Sequence, residues 1–259
     1  MQPPGAAPPP SSRRGPPPST ATPKAPTLVL HQFPKIEGAS SLSPFCVKVH
    51  YALALKGLAY ETRDTFTTGG VSPTGKLPVL AVDAELVCDS SAIFRRLDRL
   101  APDPPLEPSA PAARALNHLL EDWADECLYP YVVYYRWAVD ENVGRTTGAL
   151  FASAPAPLRA VGPLVAKRQL RAKVKTFGLA KARAEVDDDF DRHLGAVDAL
   201  VAEAPFVTGE AVAGADLAIA AQLEALRVGL TPDAQRLVER HERLRAWLGR
   251  VLRLCGAGA

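Results

Sequence analysis

The sequence has few cysteines, almost no net charge and no long hydrophobic run. Its four cysteines lie far apart without a CxxC pair, so neither a zinc ribbon nor a disulfide framework is indicated, and a reducing compartment fits best. The 30 basic and 28 acidic residues give a formal net charge of +2, so no global field favours nucleic acid or an anionic membrane. No apolar run approaches the roughly 20 residues that a membrane span requires. We therefore expect a soluble, cytoplasmic protein with no metal site, no transmembrane segment and no nucleic-acid partner.

The first 26 residues contain ten prolines and only three charged residues, all of them basic. This composition predicts a disordered proline-rich tail at 1–26, because it buries too little apolar surface to fold. The tail has no apolar stretch suited to a signal peptide. Its basic, serine-containing character leaves a transit peptide as an alternative, although the proline density opposes an amphipathic helix.

The segment 27–101 has the pattern of a small α/β domain, in which short apolar or alternating runs are separated by turn residues and two capped helices. The predicted elements, in the order βαβ and then ββα, are strands at 27–33, 59–66, 77–82 and 85–88 and helices at 43–57 and 89–100. Five prolines between 101 and 111 mark a linker at 102–111. Beyond it, residues 112–259 show only helical patterns, at 112–138, 156–177, 180–204, 216–229 and 232–254. The fold class is therefore α/β followed by all-α.

A possible thiol-activating site lies at the start of the first helix. Ser43-Pro44-Phe45-Cys46 places a hydroxyl and a thiol one turn apart at a helix N-terminus, where unpaired N–H groups and a partial positive charge stabilise a nearby thiolate. The alternative is that Ser43 only caps the helix and Cys46 packs as a small apolar residue. His50 follows Cys46 by one helical turn and could serve as its base, but packing at the domain interface or exposure to solvent is the simpler interpretation.

Two further features could hold an extended peptide. In Gly75-Lys76-Leu77-Pro78, a proline opens an apolar strand, which places it at an edge or at a cis bond that turns backbone groups outward. Asp89-Ser90 opens the next helix, where N–H groups and the Ser90 hydroxyl suit a carboxylate and Asp89 suits an ammonium group. Taken alone, each is explained equally well as an ordinary strand start or helix cap.

In order and spacing, these three features resemble the glutathione-binding domain of the glutathione S-transferase superfamily. The resemblance covers nearly all of residues 27–229, and in detail the motifs are similar to those of the metaxin and failed-axon-connections branch. They are Gln32-Phe33-Pro34, Ser43 to Cys46, Gly75 to Pro78, Asp89-Ser90, and the later Pro205 to Glu210 with Ala215-Asp216-Leu217. One departure is Ala213, which stands where the family usually has a serine or threonine that caps the helix containing Asp216.

The resemblance implies a thioredoxin-like domain with glutathione as co-substrate. Ser43 is then the catalytic hydroxyl, and Cys46 occupies the position of the second cysteine of dithiol relatives, able to form a mixed disulfide if its sulfur is exposed. Glutathione would be held by a group of five residues: Lys76, Leu77, Pro78, Asp89 and Ser90. In this family the end of the first long helix lines the cleft for the electrophile, which here gives the aromatic residues Tyr131, Tyr134 and Tyr135, unless these are core residues.

Two functions remain open on the sequence alone. The first is a glutathione transferase or thiol transferase acting on a small apolar electrophile, with a homodimer possible. The second is a non-catalytic interaction or import-associated adaptor, as metaxin-type relatives suggest. The basic run at 167–175 is interpreted as a solvated helix face.

Overall fold

The computed structural model describes residues 25–257, so most of the predicted tail lies outside the described residues. The N-terminal part is a four-stranded mixed sheet with two helices. Its elements are β1 (Leu28–Gln32), α1 (Pro44–Leu55), β2 (Glu61–Asp64), β3 (Val79–Val82), β4 (Glu85–Cys88) and α2 (Ser90–Leu100). The strand order is β2-β1-β3-β4, with β2 parallel to β1 and both β3 and β4 antiparallel to their neighbours. This is the predicted βαβ-ββα arrangement.

The strand register brings three chain segments to one end of the sheet, where β1 and β4 end and β3 begins. His31 near the end of β1 pairs with Val79 at the start of β3, and Val79 pairs with Cys88 at the end of β4. The loop into α1 leaves from the end of β1, whereas Pro78 precedes Val79 and Asp89 follows Cys88. The start of α1, the turn at Pro78 and the N-cap of α2 at Asp89 therefore lie at the same end of the sheet.

The C-terminal part is helical. Its elements are α3 (Pro111–Trp123), a π-helical turn (Ala124–Leu128), α4 (Tyr129–Trp137), α5 (Asp140–Phe151), α6 (Ala156–Thr176), α7 (Arg183–Glu203), α8 (Gly214–Arg227), α9 (Pro232–Arg240) and α10 (Glu242–Leu254). The predicted helix at 112–138 is thus continuous through a π turn, and the one at 232–254 is two helices.

Helix α5 was not predicted, because Gly144 and Gly148 interrupt its helical pattern. Tertiary contacts compensate: the buried Asn142 amide donates to the Tyr135 carbonyl and to Asp233. The division between α9 and α10 occurs at His241, whose backbone is extended. There the Leu244 N–H donates to Asp198 of α7, so a side chain from another helix caps α10.

Polar contacts and close packing fix the connection between the two parts. The Lys56 ammonium at the end of α1 donates to the carbonyls of Ala101 and Pro104 and pairs with Asp98 at 2.7 Å, which fixes the linker. Helix α8 packs against α1, and a β-carbon on Gly214 would lie 3.2 Å from the Phe94 ring, so this helix start admits little beyond glycine.

Asp216 organises the core of the helical part. It is fully buried, and its carboxylate accepts hydrogen bonds from the N–H groups of Val207 and Ala213 and from the Trp247 indole. Ala213 has no hydroxyl to cap α8, as the sequence predicts, yet the reciprocal bond from its N–H to Asp216 is present. One of the two hydrogen bonds of the capping box is therefore present, and the Asp216 carboxylate links three separate segments of the chain.

Across residues 25–257, no helix combines the length and apolar character needed to cross a bilayer. The same part of the chain contains no group of three or more histidine, cysteine, aspartate or glutamate side chains that could hold a metal ion.

Candidate functional site

A small apolar cluster shows that the three predicted features converge. Cys46 of α1 packs with Leu77 and Val79, the two residues that flank Pro78, and Cys88 at the end of β4 packs against the same cluster. Ser43 lies one turn before Cys46, and Asp89 directly follows Cys88. The N-terminus of α1, the turn at Pro78 and the start of α2 therefore surround one region at this end of the sheet.

Ser43 occupies the N-cap position of α1, but its hydroxyl makes no capping hydrogen bond. Its backbone is fixed instead by Ser41, whose hydroxyl accepts from the Ser43 N–H at 3.2 Å and donates to the Phe33 carbonyl at 2.8 Å. The prediction that Ser43 caps the helix through its side chain is wrong. The hydroxyl is half-buried and hydrogen-bonds to the Cys46 thiol, a contact that a ligand in this position would replace.

Cys46 is fully buried, with no exposed surface. Burial raises the pKa of its thiol to about 11, and hydrogen bonds from the Phe33 backbone and from Ser43 oppose this only in part. A thiol with that pKa is almost entirely protonated at neutral pH and is a poor nucleophile. The condition for a mixed disulfide at Cys46, an exposed sulfur, is not met.

The peptide bond between Leu77 and Pro78 is cis. Among the described residues, no hydrogen bond involves the Leu77 N–H or carbonyl, so both lack a partner, while the residue as a whole is buried. The Lys76 side chain is exposed beside them, and the turn is held by Ser72, whose hydroxyl accepts from the Lys76 N–H and donates to its carbonyl. This turn therefore presents an unpaired backbone edge next to a cation.

Asp89 adopts a positive φ of 81° at the N-cap of α2. One carboxylate oxygen accepts from the N–H groups of Ser91 and Ala92, whereas the other has no hydrogen bond within the described residues. Ser90 is buried at the first position of α2. The free carboxylate oxygen and the helix N-terminus lie side by side, an arrangement that suits a group carrying both an ammonium and a carboxylate.

A buried ion network behind Asp89 was not predicted. The Lys48 ammonium on α1 contacts Glu121 at 2.8 Å and Asp125 at 2.6 Å, and it donates to the Ser91 hydroxyl. Burial raises the pKa of Asp125 to about 6, against the opposing effect of Lys48. The network ties α1, α2 and the long helix together. Glu121 and Asp125 lie more than 70 residues after Lys48 in the sequence, so no local pattern reveals these contacts.

Arg136 on α4 was also missed. Its guanidinium is buried and donates to the carbonyls of Leu42 and Ala225, 2.6 Å and 2.5 Å away. No carboxylate pairs with it among the described residues, and burial lowers its pKa to about 10. Because Leu42 immediately precedes Ser43, this positive charge fixes the loop that leads into α1.

The proposed electrophile pocket is not where the sequence placed it. Tyr131, Tyr134 and Tyr135 are buried in the helical core: Tyr131 and Tyr135 pack on Phe190 of α7, and Tyr134 packs on Tyr135. Tyr135 also donates a hydrogen bond to Asp187 of α7. The alternative interpretation as core aromatics is therefore the better one.

A different set of aromatic residues adjoins Ser43. The Phe45 ring lies edge-on to Tyr129, with centroids 4.8 Å apart, and Tyr129 contacts Phe177 in turn. All three rings are partly exposed, so this surface near the start of α1 can contact an apolar group.

His50 does not act on Cys46. It is buried within the N-terminal domain, where its two ring nitrogens contact the Tyr60 hydroxyl and the Gln32 amide oxygen. Both simpler interpretations, exposure to solvent and packing at the domain interface, are also wrong. Burial lowers the pKa of His50 to about 4, with Asp64 opposing, so the ring is neutral at physiological pH.

This buried neutral histidine predicts a pH dependence. Between about pH 4 and 6.5 the unfolded chain binds a proton at His50 that the folded chain does not, so His50 destabilises the fold increasingly as pH falls. Relative to His50→Gln, the wild-type free energy of unfolding is expected to fall by roughly 2–3 kcal/mol from pH 7 to pH 4. Urea denaturation at several pH values measures this, and a difference that stays constant with pH would contradict it.

Comparison with known families agrees with this architecture. Residues 44–143 match the model of the glutathione S-transferase N-terminal domain, and residues 180–250 match that of the glutathione S-transferase C-terminal domain. The chain belongs to the glutathione S-transferase superfamily.

Three relatives match shorter segments. The chain is 40% identical over 91 residues to the stringent starvation protein A homolog of Pasteurella multocida, covering 30% of this chain and 42% of that protein. It is 35% identical over 80 residues to the probable maleylacetoacetate isomerase 1 of Drosophila melanogaster, covering 26% and 32%. It is 37% identical over 70 residues to Failed axon connections of the same fly, covering 27% and 16%. The matches thus span less than half the length of each relative.

Solved structures share the fold over most of the chain. A glutathione S-transferase from Rhodospirillum rubrum F11 is 25% identical with a TM-score of 0.58, covering 87% of this chain and 88% of that one. A glutathione S-transferase of Ceriporiopsis subvermispora in complex with glutathione is 20% identical with a TM-score of 0.60, covering 89% and 96%.

Proposed function

We propose that this protein binds glutathione at the end of the sheet where Ser43, Pro78 and Asp89 lie. The Ser43 hydroxyl activates the glutathione thiol for transfer to a small apolar electrophile. The observation that carries the proposal is the Ser43 hydroxyl itself. It stands at a helix N-terminus beside an open backbone edge and takes no part in capping the helix.

Each part of glutathione has a matching group. The cysteinyl backbone pairs with the free Leu77 N–H and carbonyl at Pro78, as an added strand does. The γ-glutamyl carboxylate meets the α2 N-terminus at Ser90, and its ammonium meets the free oxygen of Asp89. The exposed Lys76 ammonium is suited to the glycyl carboxylate.

The thiolate that forms would be stabilised by three sources of positive potential or hydrogen bonding. The Ser43 hydroxyl donates a hydrogen bond to the sulfur, the N-terminus of α1 contributes its dipole, and the buried Arg136 guanidinium holds the carbonyl of the preceding residue, Leu42. The apolar electrophile would rest on Phe45 and Tyr129. This assignment favours transfer through Ser43 over thiol exchange through Cys46, whose sulfur is buried.

A non-catalytic adaptor is the second candidate. It is supported by the similarity to Failed axon connections and by the absence of the predicted tyrosine pocket. We propose the cytoplasm as the compartment, since all four cysteines are free thiols, which is typical of a reducing environment. A homodimer stays a prediction.

Glutathione binding is testable by thermal unfolding. Millimolar glutathione is expected to raise the melting temperature by several degrees, about 2–3 kcal/mol of stabilisation at one hundred times the dissociation constant. Asp89→Asn is expected to lose most of this rise, because it removes the charge that faces the ammonium but keeps an oxygen for the helix cap.

Asp83→Asn provides a matched control. Asp83 also has a positive φ, and it also accepts a hydrogen bond from a backbone N–H, that of Thr27. It lies, however, in the β3–β4 turn at the opposite end of the sheet. This variant should respond to glutathione like the wild type. If the wild type shows no rise at all, the transferase proposal is wrong and the adaptor becomes the better interpretation.

A further inference from the structure

The outward face of α6 carries large apolar residues in contact with solvent. Val161, Leu164 and Val165 are 59%, 72% and 46% exposed, and their i, i+3, i+4 spacing aligns them on one stripe. This stripe lies opposite the side on which Gly162 and Val174 are buried. Apolar side chains grouped in this way on one helix face are typical of a binding surface.

The same helix is strongly basic. Its 21 residues include six cations and no aspartate or glutamate: Arg159, Lys167, Arg168, Arg171, Lys173 and Lys175. Lys167 and Arg171 pair with Asp140 at the side of the helix. The other four are exposed and have no ion pair within residues 25–257. At 100° per residue, Arg168 and Lys175 continue the apolar stripe towards the C-terminal end of α6.

The helix is fixed in place, so this face cannot fold inward. A β-carbon on Gly162 would lie 2.3 Å from the Phe151 ring, which shows how closely α6 approaches α5. Farther along, the Arg171 guanidinium donates to the Trp137 carbonyl. Helix α6 also lies between the two ranges that match the family models, 44–143 and 180–250, so neither match accounts for its composition.

We propose that the outward face of α6 is a peripheral docking surface for an anionic lipid membrane. Val161, Leu164 and Val165 enter the boundary between head groups and acyl chains, while Arg168 and Lys175 contact lipid phosphates or carboxylates. The overall net charge of +2 does not predict this, because the cations are gathered on one helix and balanced by acids elsewhere in the chain.

Charge and apolar surface together select a membrane. A nucleic acid would satisfy the cations but would leave the exposed Leu164 and its two neighbours without an apolar partner. A surface helix with solvent-facing apolar residues beside unpaired cations matches how interfacial helices bind, through insertion of apolar side chains and attraction to anionic head groups.

The test is co-sedimentation of the full chain with vesicles of phosphatidylcholine containing roughly 30 mol % phosphatidylserine. We expect binding that weakens when salt is raised and that is absent from pure phosphatidylcholine. Leu164→Asp and the pair Arg168→Glu with Lys175→Glu are each expected to reduce the bound fraction roughly tenfold or more. Leu254→Asp, at an exposed leucine of α10, is the control and should bind like the wild type.

Three results would overturn the proposal. The wild type fails to sediment with the anionic vesicles, Leu254→Asp weakens binding as much as Leu164→Asp, or Leu164→Asp converts a dimer into a monomer, which would make the face an interface between two copies. Circular dichroism of each variant confirms that α6 stays helical. Glutathione binding is measured on a separate region, so its failure would leave this result unaffected.

Discussion

Replacing Asp216 by alanine is expected to lower the free energy of unfolding by about 3–5 kcal/mol. The substitution removes the acceptor for three buried donors, the N–H groups of Val207 and Ala213 and the Trp247 indole. These donors are enclosed by α8 and α10, where water cannot replace the lost acceptor. Urea denaturation followed by circular dichroism measures the change.

Two controls accompany this prediction. Asp122→Ala removes an exposed carboxylate of α3 that contacts only His118 across one helical turn, and it should change stability by less than about 0.5 kcal/mol. Asp216→Asn keeps one acceptor oxygen and should fall between alanine and the wild type. A loss below about 1 kcal/mol for Asp216→Ala would show that the three donors find other partners.

Replacing Ser43 by alanine is expected to reduce kcat/KM for glutathione transfer about a hundredfold or more while leaving glutathione affinity within a few-fold. The hydroxyl contributes to ionisation of the thiol, whereas the peptide is held mainly by the Pro78 turn and by Asp89. The pKa of bound glutathione, read from the ultraviolet absorbance of its thiolate, should rise in the variant. Because the hydroxyl makes no capping hydrogen bond and its contact with the Cys46 thiol is a weak one, the melting temperature should change little.

Ser153→Ala, at an exposed serine between α5 and α6, is the matched control for loss of a hydroxyl. Cys46→Ala separates the two candidate groups: because its sulfur is buried, we expect lower stability with the thiol pKa of bound glutathione retained. Activity that survives in Ser43→Ala but disappears in Cys46→Ala would reverse the proposed roles.

The elements and the convergence of the site were predictable because their signals are local. Gly57 ends one helix, Asp89 begins another, and the apolar runs at 28–32 and 79–82 have the length of buried strands. The rules for connecting strands allow few topologies for a sheet of four strands, and the observed one brings Ser43 and Pro78 to one end of the sheet. Local patterns therefore predicted the elements, and the resemblance to the family predicted that they converge.

Side-chain direction was not predictable in the same way. Whether Tyr131 faces the cleft or α7 depends on the rotation of the helix, and that rotation is set by Phe190, some 60 residues later. Arg136 likewise contacts Leu42 across 94 positions of sequence. A lone arginine in an aromatic run gives no sign that it will be buried, so its contact with the Leu42 carbonyl is visible only in three dimensions.

The π turn at Ala124–Leu128 has a consequence for the continuous helix that α3 and α4 form on either side of it. A π turn accommodates one extra residue, so everything after it is rotated by about 100° about the helix axis compared with an uninterrupted α-helix. Glu121, before the turn, reaches Lys48, and Arg136, after it, reaches Leu42. With the same residues, an α-helical turn in place of the π turn would change the phase between Glu121 and Arg136 by about this angle and separate one of the two contacts. The π turn therefore lets one continuous helix hold both Lys48 and Leu42.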